Sequence, residues 1–127
     1  MAYTEKVTLE CFPLWKRIEN KGLLSQVSME LTERCNNNCV HCYINLAADD
    51  KEANKKEITF QEIRNIVDKA ARMGCLSWHL TGGEPLLRED FSDIYLYLKR
   101  KGMRVSLFTN ATLINSEIAH LFRKYPP

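Results

Sequence analysis

Downstream of residue 58 the apolar positions fall into two alternating rhythms. Ile63, Ile66, Val67, Ala70 and Met73 recur at helical spacing and predict a helix with Gly74 as its stop. Its start is marked by a capping box, Thr59 followed by Glu62, with Ile58 and Ile63 placed for a hydrophobic staple. Cys75 to Leu80 reads as a short strand entering the turn Thr81-Gly82-Gly83-Glu84-Pro85. A second helix is expected from about Asp90 to Lys101 through Phe91, Ile94 and Leu98, stopping at Gly102. Arg104 to Thr109 is the next strand, ending at Asn110. A third helix opens at Asn115, turns Ile118, Leu121 and Phe122 inward, and ends before Pro126-Pro127. Upstream, Val27 to Leu31 makes a first strand. The order β-loop-α-β-α-β-α is that of an α/β fold, a parallel sheet with β/α units.

Two stretches carry weaker patterns. Leu9 to Ile18 reads as a short helix or an edge strand inside an N-terminal extension, residues 1–26, that precedes the sheet-forming part, residues 27–127. Residues 46–57 are polar and charged and read as a mobile surface loop without function. No internal repeat or low-complexity tract breaks the β/α alternation.

Composition narrows the class. At 127 residues the chain fits one domain. Its 45% apolar and 27% charged residues are those of an ordinary globular protein. The net charge is +2 with both signs interspersed, so no basic face points to nucleic acid. No apolar run approaches the length of a membrane span, and Met1-Ala2-Tyr3-Thr4-Glu5-Lys6 lacks an export pattern, which points to the cytoplasm. Five cysteines without an export signal argue against a disulfide framework. Cys11 and Cys75 read as small apolar packing residues.

The remaining three cysteines change the picture. Cys35, Cys39 and Cys42 stand at C-x3-C-x2-C spacing with no fourth thiol nearby. A closed zinc site needs four ligands, and a cubane iron–sulfur cluster usually takes four thiolates. Three thiolates on a cubane would leave one iron open to a substrate or cofactor. The cysteines follow the first strand, Gly82-Gly83-Glu84-Pro85 the second, and Asn110-Ala111-Thr112 the third. In parallel α/β sheets ligands bind at the carboxyl ends of strands, so three segments converge on one rim.

Those segments resemble the radical S-adenosylmethionine (SAM) superfamily. The cysteine loop is similar to its cluster-binding signature and Thr81-Gly82-Gly83-Glu84-Pro85 to its "GGE" motif. The strings Leu31-Thr32-Glu33-Arg34-Cys35, Leu80 to Arg88 and Leu107 to Leu113 are similar to peptide- and cofactor-maturating members, the SPASM-type and pyrroloquinoline quinone synthesis enzymes. The resemblance implies the N-terminal half of a partial (β/α)6 TIM-like barrel. It implies a [4Fe-4S] cluster on Cys35, Cys39 and Cys42, with SAM chelating the fourth iron. His41 would contact adenine, the Gly82-Gly83-Glu84 turn the SAM amino group with Gly83 as the backbone contact, and Asn110 the same rim. The implied activity is reductive cleavage of SAM to a 5′-deoxyadenosyl radical that abstracts hydrogen from a peptide or small-molecule precursor. The electron would come from a low-potential donor such as a flavodoxin or ferredoxin. Independently of the resemblance, two glycines allow close approach of a ligand to the backbone, and Glu84 or a carbonyl suits an ammonium group.

Other readings stand beside these. The cysteines with His41 or His79 could form a structural zinc site, and the chain would then be a non-catalytic iron–sulfur or zinc module. Gly82-Gly83 could be only a turn. His79 could face the barrel or the helix layer, and His120 reads as a surface residue. Glu30, Glu33 and Arg34 read as salt-bridge formers beside the cluster loop. Against a six-strand barrel, three β/α units read as a truncated chain with an open third-strand edge and without an auxiliary-cluster domain.

Overall fold

The computed structural model describes residues 21–127 apart from residues 23 and 45. The expected element over Leu9–Ile18 and the packing assigned to Cys11 lie outside the described residues. In chain order the elements are β1 (Gln26–Glu30), β2 (Arg34–Cys35), β3 (Leu46–Ala47), α1 (Lys51–Lys56), α2 (Phe60–Arg72), β4 (Ser77–Thr81), α3 (Phe91–Arg100), β5 (Arg104–Leu107) and α4 (Ser116–Lys124). A 3-10 turn over Pro85–Leu87 joins β4 to α3.

The main sheet has the order β1-β4-β5 and is parallel throughout. Its register aligns Val27 with Trp78 and Trp78 with Val105, and Met29 with Leu80 and Leu80 with Leu107. Because side chains alternate along a strand, these six share one face. That face packs on α2 and α3 through Ile63, Val67, Ala70, Ile94, Tyr95 and Leu98, all buried. The opposite face carries Ser28, His79 and Ser106 in one row and Glu30 and Thr81 in the next. Parallel sheets are usually apolar on both faces, so a polar second face sets this one apart. His79 therefore lies away from the helix layer. Its Nδ1 is 3.3 Å from the Gln26 side-chain amide, and its ring lies against Phe108 with centroids 5.6 Å apart.

Local chemistry sets the helix ends. Thr59 and Glu62 form the expected capping box, with Thr59 N–H donating to Glu62 Oε2 at 2.7 Å. At the other end Gly74, at φ 90°, lets Gly74 N–H reach Ala71 O and Cys75 N–H reach Ala70 O, a Schellman motif. Gly102, at φ 77°, repeats the device after α3, with Met103 N–H donating to Leu98 O. Each motif turns a helix directly into a buried residue, Cys75 or Met103. Ile66 in α2 and Met73 at its C-terminal cap are exposed rather than inward, so the buried stripe is Ile63, Val67 and Ala70. Burial pushes the Tyr95 phenol up to about 12 and keeps it a neutral donor to Tyr125 O at 2.7 Å.

Residues 46–57 depart from the expected loop. Leu46–Ala47 pairs in parallel with Arg34–Cys35, and a short helix follows. Asp50 caps it by accepting from Ala53 N at 2.8 Å, Glu52 lies in its first turn, and Lys55 and Lys56 lie in its last. That charge order suits the helix dipole, and Ala53 is buried beneath it.

Candidate functional site

The rim at the carboxyl ends of β1, β4 and β5 is held together by backbone before any side chain is considered. Leu31 N–H donates to Thr81 O at 2.8 Å, Gly83 N–H to Thr32 O at 2.8 Å and Glu84 N–H to Arg34 O at 2.8 Å. The segment leading to Cys35 thus runs alongside the Gly-Gly turn. The glycines are needed for this contact. A Cβ on Gly83 would stand 2.2 Å from Arg34 O, and one on Gly82 would stand 2.3 Å from Thr32 O. Gly82 also has φ 123°, which side chains rarely adopt. The close approach expected of a ligand is, in this structure, the approach of the cysteine loop's own backbone.

Glu84 is also placed differently from expectation. It is fully buried, and its carboxylate accepts from Leu86 N at 3.0 Å, Thr109 Oγ1 at 2.7 Å and Asn110 N at 2.8 Å. Its side chain faces these protein donors rather than an ammonium ligand. Hydrogen bonds to a charged acceptor are stronger than neutral ones, so Glu84 braces the turn after β4 to the end of β5. Thr109 carries the brace onward by accepting from Ala111 N at 3.0 Å, where Ala111 holds a left-handed φ of 63°.

Asn110 reaches the cysteine loop. Its Nδ2 lies 3.9 Å from Cys35 Sγ and 2.9 Å from Asn36 Oδ1, while its Oδ1 accepts from Thr112 N and Thr112 Oγ1. Asn36 Nδ2 donates to Thr112 Oγ1 at 2.8 Å, closing the link. Asn36 and Thr112 went unnoticed as partners because nothing in the sequence pairs residues 76 positions apart.

The thiols share one loop but differ in setting. Cys35 is half-buried in β2, with Asn37 N–H 3.4 Å from its Sγ. Cys39 and Cys42 are exposed; Cys42 N–H donates to Cys39 O, and Cys42 Sγ donates to Ile44 O at 2.6 Å. Among the described residues no three His, Cys, Asp or Glu side chains are gathered closely enough to hold a metal ion. Cys75 is buried in the core, as expected for packing. His41 and His120 are exposed. Val40 and Tyr43 are also exposed, and the Tyr43 hydroxyl donates to Glu30 Oε1 at 3.1 Å, a bond that raises its pKa above that of an ordinary phenol. Arg34 forms the expected ion pair, with Glu57 at 2.8 Å.

Two clefts open here. One of about 470 Å³ is lined by Cys35, Asn36, Asn37, Asn38, Leu46, Ala47 and Ala48. The other, about 400 Å³, lies on the polar sheet face between Ser28, Glu30, Tyr43, His79, Thr81 and Phe108. The first offers space beside a thiol donor and the second a polar floor below the rim.

Comparison with known proteins shows the family. A family model described as the radical SAM superfamily matches residues 29–127. The chain is 39% identical over 93 residues to an Fe-coproporphyrin III synthase of Methanosarcina barkeri, covering 73% of this chain and 23% of that protein. It is 35% identical over 99 residues to a PqqA peptide cyclase of Streptomyces rochei, covering 78% and 26%. In three dimensions it resembles Streptococcus suis SuiB, solved bound to S-adenosylmethionine, with a TM-score of 0.66 and 18% identity over 87% of this chain and 24% of that one. That likeness supports the partial TIM-like fold. The chain spans about a quarter of the length of the curated relatives it matches.

Proposed function

The chain belongs to the radical SAM superfamily, and on that premise we propose that Cys35, Cys39 and Cys42 ligate a [4Fe-4S] cluster whose open iron takes SAM. The observation that carries the reading is the three-thiol loop at the carboxyl end of β1, backed by the Gly82-Gly83 turn and Asn110. The donor set fits the group in kind, since soft thiolates suit iron–sulfur chemistry; the cleft is lined by Cys35 alone of the three, so ligation would draw the exposed Cys39 and Cys42 toward it. Ligation by Cys42 would exchange its bond to Ile44 O for a bond to iron. For a zinc site Cys75 is enclosed in the core and His79 lies on the sheet face, which leaves exposed His41 as the fourth donor, adjacent in sequence to Cys42 and so awkwardly placed for one tetrahedron.

When bound, the cluster supplies the electron that cleaves SAM to a 5′-deoxyadenosyl radical, which takes hydrogen from substrate. The protein's part is positional. Gly82 and Gly83 fix the distance between the turn and the cysteine loop, and Glu84 holds β5's end so that Asn110 reaches Cys35. His41, exposed on the loop, would contact adenine. The backbone of Gly82 to Glu84 is the partner for the SAM amino group. The whole enzyme would act in the cytoplasm as a maturase on a peptide or small precursor, with a flavodoxin or ferredoxin as electron donor; its relatives include a PqqA peptide cyclase.

Anaerobic reconstitution tests this directly. About four irons and four sulfides per chain, lost in Cys39→Ala, with a reduced-cluster electron paramagnetic resonance spectrum that changes on adding SAM, is the expected result. Stoichiometric zinc without sulfide would overturn it in favour of a structural metal module.

A further inference from the structure

Glu57 lies at the end of α1, in the tract that carries no recognisable motif, yet its side chain is only 12% exposed. Its Oε1 accepts from the Thr32 hydroxyl at 2.6 Å and from Arg34 Nε at 2.8 Å, and its Oε2 lies 3.8 Å from Arg88 Nη1. One carboxylate therefore sits between two guanidinium groups from distant parts of the chain. Arg88, 4% exposed, spends its other donors on Leu31 O, Ile58 O and both Asp90 oxygens. Arg34 reaches Ala48 O, and the Thr32 hydroxyl accepts from Arg34 N–H at 3.0 Å.

Thr32 and Arg34 are also the residues whose carbonyls receive Gly83 N–H and Glu84 N–H. The two residues that lead into Cys35 are thus held on one side by Glu57 through their side chains and on the other by the glycine turn through their backbone. Removing the carboxylate leaves Arg34 without its counter-charge and the Thr32 hydroxyl without its acceptor, while Arg88 keeps Asp90, a costly arrangement for the partly desolvated Arg34.

We propose that Glu57 is a positioning residue for the cysteine loop: its half-buried carboxylate, between Arg34 and Arg88, sets where Cys35 stands relative to the Gly82-Gly83 turn. The proposal takes its cargo from the iron–sulfur reading of that loop, but its first test is made without iron.

Amide hydrogen exchange of the metal-free protein should show the Arg34, Gly83 and Glu84 amides exchanging about tenfold faster in Glu57→Gln, with those of β4 and β5 unchanged, as for local rather than global opening. Glu57→Asp, which keeps the charge, should recover most of the protection. After anaerobic reconstitution Glu57→Gln should retain its iron, while the SAM-induced change in its resonance spectrum falls to less than about half, as a population shift in a loosened loop requires. Unchanged loop amides, or equal acceleration of every amide, would overturn the proposal. So would loosened amides with an unaltered SAM response, because Glu57 would then serve folding alone. If the unsubstituted protein took up no cluster, the iron–sulfur reading would fail, while the exchange result would still decide whether Glu57 positions the loop.

Discussion

The helix-backed side of the sheet and the cysteine rim are built on opposite terms. On the helix side Trp78, Leu80, Ile94 and Leu98 are fully buried, and each is enclosed by residues from other elements. On the rim Val40 and Tyr43 are exposed, Cys39 and Cys42 are exposed, and the loop is tied at its two ends by carboxylates, Glu57 to Arg34 and Glu30 to Tyr43. The first region is held by apolar area, which is non-directional and summed over many contacts. The second is held by a few directional bonds, each of which matters by itself. Substitutions should therefore be ruinous to stability in one region and specific to the loop in the other.

The sharpest test pairs Trp78→Ala with Val40→Ser. Trp78→Ala should cost about 3–5 kcal/mol in urea unfolding, since it empties a closed part of the core. Val40→Ser should stay within about 0.5 kcal/mol, as surface changes do. Equal costs would erase the distinction.

A glycine series tests the join between the two regions. Gly82→Ala and Gly83→Ala drive a methyl into the backbone of Thr32 or Arg34 and should each cost about 2 kcal/mol, the scale of overpacking. Gly102→Ala meets nothing within 4 Å and carries only the burden of φ 77°, so about 1 kcal/mol is expected. If Gly83→Ala were the mildest of the three by thermal or urea unfolding, the rim would be softer than its hydrogen bonds indicate.

What could be read in the sequence follows the same division. The strands, the helices, the capping box and both glycine stops were legible because period, cap and φ requirement are local. The three thiols, the Gly-Gly turn and Asn110 were legible as a rim because each follows a strand. The sequence leaves either Glu84 or a backbone carbonyl as the acceptor for an ammonium group; the burial of Glu84 depends on Thr109 and Asn110, 25 and 26 residues away. Glu57 was invisible because its partners Thr32, Arg34 and Arg88 are brought to it only by the fold. Residues 46–57 misled because a charged, motif-free tract says nothing about the two-residue pairing with Arg34–Cys35.

A smaller effect concerns the start of α2. Thr59→Ala removes the cap and should cost about 1 kcal/mol in thermal unfolding. A loss much below that would mean Glu62 carries the end of the helix without its partner.

The smallest expected effect sits on the outer seam of α2 and α3, far from the rim. Asp68 accepts from Lys101 Nζ at 2.8 Å and from the Tyr97 hydroxyl at 2.8 Å. The Lys101 bond, followed by the Tyr97 bond, holds the Asp68 carboxyl below its ordinary value, and the bond to Asp68 holds Lys101 above its own. The signs are opposite. The depressed carboxylate contributes stability above its unfolded pKa, and this is lost as pH falls through its folded value. The raised lysine contributes stability below its unfolded pKa, and this is lost as pH rises through its folded value. Between the two the pair should leave stability flat with pH. Both groups are solvent-accessible, so salt should screen the pair and Asp68→Asn should lower the melting temperature only slightly at neutral pH. The informative readout is the slope of melting temperature against pH on the acid side, which Asp68→Asn should flatten while leaving hydrogen exchange at Arg34, Gly83 and Glu84 untouched. If those rim amides responded, the two regions would be coupled, and the contrast between them would have to be abandoned.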